Sequence, residues 1–327
     1  MVIAIHTQAS NSLLITHTDF WTPHLLLDQS ARFAVPLFFV ISGYFWGIRL
    51  DHGTSITAIS SQMAKRIFTI FIAWSLIYLL PYNVGTINEF GFSGPIKAAY
   101  WSLARLAQEP LVLLTQGTKI HLWFLLSLLW ALGICAFFVA KKCYKTLAIF
   151  SIALYVVGLL AKAYADTPFG IPTSFNTRNG PFFGTVFFAS GFFLSHLKPN
   201  ETWFAKGIAL LIAGGALHFF EIYTLWHLYG TSPYQDYVAG TYLMGIGAAM
   251  AALSNKRFFM DEIFHKAGKL TLGVYAAHFL FVEILGPAEN LFSSKLWHVC
   301  YIALALALSI ATASVLSQFP LTKKIVM

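Results

Sequence analysis

Charged residues are scarce in this chain. Asp, Glu, Lys and Arg make up 10% of its 327 residues, whereas hydrophobic residues make up 57%. Soluble domains carry about 25% charged residues. The apolar blocks are long and lack the alternation of polar and apolar positions that a soluble domain would show. The sequence therefore predicts an all-α fold, a polytopic bundle of transmembrane helices with the lipid bilayer around it.

Cysteine is also scarce, with three residues in the whole chain. Cys135 and Cys300 fall inside apolar runs and Cys143 lies in the basic stretch KKCYK, so no disulfide framework is indicated. Cys and His pairs at the spacing of zinc ligands are absent too, and we expect no metal cofactor. The formal net charge of +8 comes from basic residues scattered between apolar runs, which indicates membrane topology rather than nucleic-acid binding.

A helix needs about 20 mostly apolar residues to cross a bilayer. Nine blocks of this kind can be identified, and the fragment 1–9 would be the end of a further helix. Two blocks contain the glycine pairs GYFWG and GPFFG, at the small-xxx-small spacing typical of close helix contacts. With no attached soluble domain, we expect a single integral membrane domain over residues 1–327. The blocks are 33–50, 67–87, 121–140, 146–165, 180–197, 207–226, 236–253, 268–285 and 296–316.

Lysine and arginine indicate how these helices are oriented, because cytoplasmic loops carry an excess of both. If the loop after block 33–50 is cytoplasmic, about twice as many of the 21 Lys and Arg residues fall on the cytoplasmic side as outside. This orientation places His6, at the end of the N-terminal fragment, toward the outside. The longest outer segment, about 88–120, is mildly amphipathic and is expected to lie along the membrane surface.

Ionisable side chains inside apolar spans are costly, so they tend to mark reactive sites or transport pathways. Structural roles compete with functional ones: His218 would be a polar anchor at the membrane interface, Glu283 would reach that interface, and Arg178 would cap the loop SFNTRNGP. His6 stands out only by its position before the polar stretch TQASNS. The candidates are His6, Arg178, Glu221, His278 and Glu283, with His121 and His218 near or inside span ends.

Several stretches occur in an order that apolar composition alone does not explain. They are VIAIH, ARFAVPLFFVISGYFWG, AKRIFTIFIAW, HLWFLLSLL (121–129), TRNGPFFGTVFFASGFFL (177–194) and LTLGVYAAHFLF (270–281). Together they resemble the acyltransferase 3 family, integral membrane O-acyltransferases of about ten helices. The resemblance covers nearly the whole chain, and FFVISGY is its most specific part.

The resemblance implies transfer of an acyl group, usually acetyl, from acyl-CoA on the cytoplasmic side of a bacterial cytoplasmic (inner) membrane. The acceptor would be a hydroxyl of a cell-surface glycan or its lipid-linked precursor at the outer face. By the same resemblance, His6 is the catalytic acid/base and Arg178 the arginine of the TRNG-like turn. The matching substrate-binding positions are His121, Trp123, Phe124, Tyr275 and His278, and the phosphates of acetyl-CoA would bind Lys65 and Arg66.

Two features depart from the family pattern. The first helix normally carries an arginine roughly ten residues before the histidine, whereas only five residues precede His6 here. We therefore expect the start of the first helix to be missing from this sequence. The cytoplasmic basic motif often has two arginines three apart, and Gln62 or Met63 stands where the first would be.

Histidine suits a base that takes the proton of an attacking hydroxyl, because its unperturbed pKa lies near 6.5. Arg178, Trp123 and His121 would donate to the oxyanion of the tetrahedral intermediate. An acyl-histidine intermediate is equally compatible with a lone histidine. The competing class is a proton-coupled transporter or exporter, which also uses intramembrane His, Glu and Arg. A catalytically inactive membrane scaffold is a third possibility.

Overall fold

The computed structural model of the chain describes residues 2–8, 20–255, 261–290 and 295–327, and every regular element in these ranges is helical. The helices are α1 (Val2–Gln8), α2 (Pro23–Ser30), α3 (Ala34–Asp51), α4 (Ile56–Ile77), α5 (Ile87–Phe90), α6 (Gly94–Gln108), α7 (Pro110–Thr115), α8 (Trp123–Ala140), α9 (Tyr144–Leu160), α10 (Pro181–Ser195), α11 (Thr202–Tyr229), α12 (Ala239–Leu253), α13 (Asp261–Leu285), α14 (Lys295–Gln318) and α15 (Pro320–Lys323).

Five helical segments within the described residues are long and apolar enough to cross a membrane. Three further apolar helices, α9, α10 and α12, are shorter, at 17, 15 and 15 residues. Each of the nine predicted blocks overlaps a helix, so the all-helical prediction is confirmed, whereas the count of nine or ten spans stays a prediction. The five segments are Pro23–Asp51, Ile120–Ala140, Thr202–Tyr229, Gly268–Ala288 and Cys300–Gln318.

The chain divides into two compact units. Unit 1 comprises Met1–Ile15, Arg66–Leu125 and Phe258–Met327, and unit 2 comprises Thr16–Lys65 and Leu126–Arg257. Helices α4 and α8 contribute residues to both units. The predicted single domain over the whole chain stays a prediction.

In unit 2, helices α3 and α10 pack with their backbones in contact. A Cβ atom at Gly43 would lie 2.0 Å from the carbonyl oxygen of Phe188, and one at Gly191 would lie 2.0 Å from that of Val40. Side-chain carbons never approach other atoms this closely, so both positions need glycine for the two helices to meet. The close contact predicted for the GYFWG motif is therefore confirmed.

His218 of unit 2 is completely buried, so its interpretation as an interfacial anchor is wrong. Its Nε2 lies 2.9 Å from Gln29 Oε1 and its Nδ1 lies 3.0 Å from the hydroxyl of Thr241. Because an amide oxygen only accepts, Nε2 carries the hydrogen and Nδ1 accepts from the hydroxyl. Both ring nitrogens are thus bonded, and His218 ties α11 to α2 and α12.

Glu221, another candidate from the sequence, has a structural role at the start of α12. Its carboxylate accepts hydrogen bonds from the backbone N–H groups of Ala239 and Gly240, at 3.2 and 2.6 Å, and from the hydroxyl of Tyr164. A carboxylate at this position satisfies N–H groups that have no partner within the helix and interacts favourably with the helix dipole.

In unit 1, hydrogen bonds hold the backbone of α13 around Ala276. The hydroxyl of Tyr78 donates to the carbonyl of Ala276 at 2.8 Å and accepts from the backbone N–H of Leu280 at 3.2 Å. Helix α1 packs against both α13 and α14. The N-terminal helix therefore lies beside the helix that Tyr78 holds.

The predicted amphipathic segment of unit 1 forms α6. Its apolar residues Ile96, Tyr100 and Leu103 recur at helical spacing and are all exposed. A helix with an exposed apolar stripe is typical of segments at a membrane interface. The amphipathic helix is confirmed, and its place on the membrane surface stays a prediction.

Candidate active site

Three histidines that are far apart in the sequence meet in unit 1. His6 lies on α1, His121 on the 3₁₀ turn Ile120–Leu122, and His278 on α13. The ring centre of His278 lies 5.0 Å from that of His121 and 5.2 Å from that of His6, and the His6 and His121 centres are 6.4 Å apart. His6 is half-buried, whereas the other two rings are completely buried. The structure therefore joins the predicted catalytic histidine with two predicted substrate-binding residues.

A backbone carbonyl determines which nitrogen of His121 carries its hydrogen. Nε2 lies 3.2 Å from the carbonyl oxygen of Ala276, which can only accept. Nε2 is therefore protonated, and in the neutral ring Nδ1 is a hydrogen-bond acceptor. Among the described residues, this Nδ1 has no partner. His121 was expected to donate to an oxyanion, but the only N–H of its neutral ring already donates to Ala276.

His278 is held in the same way but through its other nitrogen. Its Nδ1 lies 2.5 Å from the carbonyl oxygen of Tyr275, so Nδ1 carries the hydrogen. Its Nε2 is buried and, within the part of the chain that the structure describes, has no hydrogen-bond partner. The cluster thus contains two buried imidazoles that each present an acceptor nitrogen.

Aromatic rings surround the histidines. Phe279 stacks on His121 with ring centres 4.9 Å apart and meets the His6 ring edge-on at 5.3 Å. The ring of Tyr275 contacts that of Phe124 at 5.0 Å, and its hydroxyl donates to the carbonyl of His121. Trp123 is buried next to Phe124. All the predicted substrate-binding residues therefore lie in unit 1.

Sequence reasoning missed the contacts that Glu283 makes. Its carboxylate forms an ion pair with Lys119 at 2.6 Å and accepts a hydrogen bond from the hydroxyl of Tyr82. Burial, and then the charge of Glu283, raise the pKa of Tyr82 well above its ordinary value, so this hydroxyl stays protonated. Glu283 was among the candidates from the sequence, and Lys119 stands two residues before His121.

Arg178 belongs to unit 2, where it forms an ion pair with Asp236 at 3.0 Å. The same carboxylate contacts Arg32 at 3.0 Å and Lys162 at 2.9 Å. Burial alone would raise the pKa of Asp236, but the three cations hold it far below its ordinary value. The structure therefore places Arg178 in a cluster of charges around an ionised carboxylate, and its catalytic assignment stays a prediction.

Lys65 and Arg66 are both exposed at consecutive positions on α4. One turn earlier, Gln62 accepts a hydrogen bond from the guanidinium of Arg49 at 2.5 Å. Gln62 is one of the two residues that stand where the family pattern has an arginine. Arg49, which the sequence reasoning did not single out, thus brings a guanidinium to that position from α3.

Comparison with known proteins gives two similar relatives from Enterococcus faecalis, each named amino-acid racemase. One is 26% identical over 217 residues, which is 62% of this chain and 27% of that protein. The other is 28% identical over 219 residues, again 62% of this chain and 28% of that protein. The match thus spans about a quarter of the length of these relatives. No solved structure matches the chain.

A family comparison covers almost the whole chain. The family described as an acyltransferase domain, acyltransferase 3, matches residues 1–314. This match includes all the stretches that carried the resemblance and every histidine of the cluster. The chain therefore belongs to the acyltransferase 3 family, in line with its long apolar helices.

Proposed function

We propose that the protein transfers an acyl group, most simply acetyl, from acyl-CoA to a hydroxyl of a cell-surface glycan or its lipid-linked precursor, with His6 as the acid/base. The observation that supports this role is the histidine cluster of unit 1. His6 is its half-buried member, beside two completely buried imidazoles. A base must reach the proton that it removes, so the accessible ring of the three is the one suited to the reaction.

The proposed reaction needs one base, His6, which removes a proton and later returns it. The acceptor oxygen attacks the thioester carbonyl carbon while His6 removes the hydroxyl proton. The tetrahedral intermediate collapses, the C–S bond breaks, and His6 returns the proton to the departing thiolate. The products are an acyl ester and CoA with a free thiol. Because the one N–H of the neutral His121 ring is already bonded to Ala276, the indole N–H of Trp123 is the proposed oxyanion donor in unit 1.

The donor substrate is proposed to bind through charge. Coenzyme A carries several phosphate groups, and Lys65 and Arg66 are two exposed cations at consecutive positions of α4. The excess of lysine and arginine in the loops predicted to be cytoplasmic supports this proposal, because acyl-CoA is found on that side. The proposed location in a bacterial cytoplasmic membrane is what the resemblance to the family implies.

A second acceptor class comes from the relatives. Both are named amino-acid racemases, and the chain matches about a quarter of their length. A hydroxylated amino acid such as serine is therefore the second acceptor to test beside a glycan. Membership of an acyltransferase family favours either acceptor over the transporter alternative.

The test uses membrane vesicles that contain the full chain, radiolabelled acetyl-CoA, and either a lipid-linked glycan extract or serine. We expect label transfer to fall about 10²- to 10⁴-fold in His6→Ala. His227→Ala changes an exposed histidine of α11 and should keep the wild-type rate. A His6→Ala protein that unfolds at the wild-type temperature and still labels the acceptor at the wild-type rate would contradict the assignment.

A further inference from the structure

One acceptor nitrogen of the histidine cluster, Nε2 of His278, is the subject of the further inference because the His278 ring lies next to His6. His278 is completely buried, and its Nε2 has no hydrogen-bond partner in the described part of the chain. Buried polar atoms nearly always have a partner, and an exception points to a missing ligand or a functional contact. The backbone also fixes the tautomer of His278, because Nδ1 donates to the carbonyl of Tyr275 and Nε2 is therefore an acceptor.

In the described structure Nε2 of His278 accepts no hydrogen bond from His6, but the two rings are at the separation that such a bond requires. The two ring centres lie 5.2 Å apart. A linear N–H···N bond of about 3 Å, with roughly 1.1 Å from each nitrogen to its ring centre, spans about the same distance. The ring centre of His121 lies farther from His6, at 6.4 Å. His278 is therefore the better placed of the two acceptors.

We propose that His278 is a positioning residue for His6: its Nε2 accepts the N–H of the His6 ring and directs the other His6 nitrogen to the acyl acceptor. This inference rests on the role of His6 proposed above. An acceptor on one side of an imidazole fixes its tautomer and makes the opposite nitrogen more basic, as the outer partners of metal-bound histidines do. Here a neutral imidazole has the place that a carboxylate occupies in a catalytic triad.

No covalent bond to His278 forms or breaks in this scheme. When His6 takes the hydroxyl proton, its ring carries two N–H groups, and the one facing His278 becomes a stronger, charge-assisted donor. The proton then leaves from the other nitrogen with the thiolate of coenzyme A. His278 keeps its own hydrogen on Nδ1, bonded to the carbonyl of Tyr275, throughout.

Two substitutions separate positioning from simple structural support. In His278→Gln, the side-chain amide reaches about as far as Nε2 and can present an acceptor oxygen there. In His278→Asn, the shorter amide reaches only as far as Nδ1, so it can keep the bond to Tyr275 while the acceptor toward His6 is lost. The two variants have similar polarity and keep opposite contacts: His278→Gln keeps the acceptor toward His6, and His278→Asn keeps the bond to Tyr275.

The first measurement needs no acyl acceptor. Full-length protein in detergent is treated with diethyl pyrocarbonate, and modification of the His6 peptide is followed by mass spectrometry, with exposed His227 as the internal reference. We expect the rate at His6 to fall about tenfold in His278→Asn and to stay close to the wild-type rate in His278→Gln. Equal rates in all three proteins, or equal losses in both variants, would overturn the proposal.

The second measurement is acetyl transfer from acetyl-CoA by the same variants. We expect kcat to fall about 10- to 100-fold in His278→Asn at an unchanged KM for acetyl-CoA, with most of the loss restored in His278→Gln. Loss of activity in His6→Ala together with full activity in His278→Asn would overturn only the positioning role. Full activity in His6→Ala would overturn the proposed function itself.

Discussion

His218 and His278 are both completely buried, yet their nitrogens have different surroundings. In His218 one nitrogen donates to Gln29 and the other accepts from Thr241, so the ring is fully bonded within the fold. In His278 only Nδ1 is bonded to the described chain. A buried acceptor without a partner costs about 1–3 kcal/mol. The proposed bond from the His6 ring would satisfy this nitrogen and remove that cost, whereas His218 needs no partner outside its helix contacts.

The ion pairs of Asp236 with three cations give a prediction for the stability of the protein. Asp236→Asn removes the negative charge that Arg32, Lys162 and Arg178 share. Because these side chains are largely buried, we expect the free energy of unfolding to fall by about 3 kcal/mol. Thermal unfolding in detergent would measure the change. The control is Asp51→Asn, since the exposed pair of Asp51 with His196, 3.8 Å apart, contributes at most about 1 kcal/mol.

The pH dependence of this contribution follows from the direction of the pKa shift. The folded-state pKa of Asp236 lies below its unfolded value of about 4, so the stabilisation is fully present above that pH. It is lost only as the pH falls toward the folded-state value. A wild-type protein that lost as much stability between pH 8 and pH 5 as Asp236→Asn does at pH 7 would contradict this account.

At the scale of helices, the sequence predicted the positions of the helices well. It predicted the contacts of their polar residues less well. Apolar runs mark helices directly, so each predicted block overlaps one. His6, His121 and His278 were also identified, by resemblance to the family. Their tautomers could not be predicted, because backbone carbonyls determine them and a carbonyl has no sequence signature. His218 was misinterpreted for a similar reason, since its partner Gln29 is 189 positions away.

The contact between α3 and α10 gives a prediction at this scale. A Cβ at Gly43 would lie 2.0 Å from a backbone oxygen of α10, so Gly43→Ala must push the helices apart. We expect a loss of about 1–3 kcal/mol in the free energy of unfolding. The matched control is Gly215→Ala in α11, where nothing lies within 4 Å of the new carbon. That change should be neutral or stabilise by about 0.5–1 kcal/mol. Equal effects of both substitutions would contradict the packing argument.

At the scale of the whole molecule, charge is sparse but unevenly distributed. Only 10% of residues are charged, and the formal net charge is +8. In the predicted orientation, most of the lysines and arginines lie on the cytoplasmic side, where a polyanionic substrate would arrive. The same residues can therefore set topology and attract acyl-CoA. A test must separate a specific pair of cations from the general positive charge of that side.

The double substitution Lys65→Ala with Arg66→Ala tests this separation. If both cations contact phosphate groups of coenzyme A, we expect the KM for acetyl-CoA to rise about tenfold with little change in kcat. The control is Lys141→Ala with Lys145→Ala, which removes two exposed lysines from the same predicted side.

Steady-state rates at low and high salt would distinguish a specific pair from general positive charge, because screening weakens exposed charge pairs. A specific pair raises the KM more than the control does, and the difference shrinks at high salt. Equal KM values in the two double variants would mean that only the overall charge of the cytoplasmic side attracts acyl-CoA.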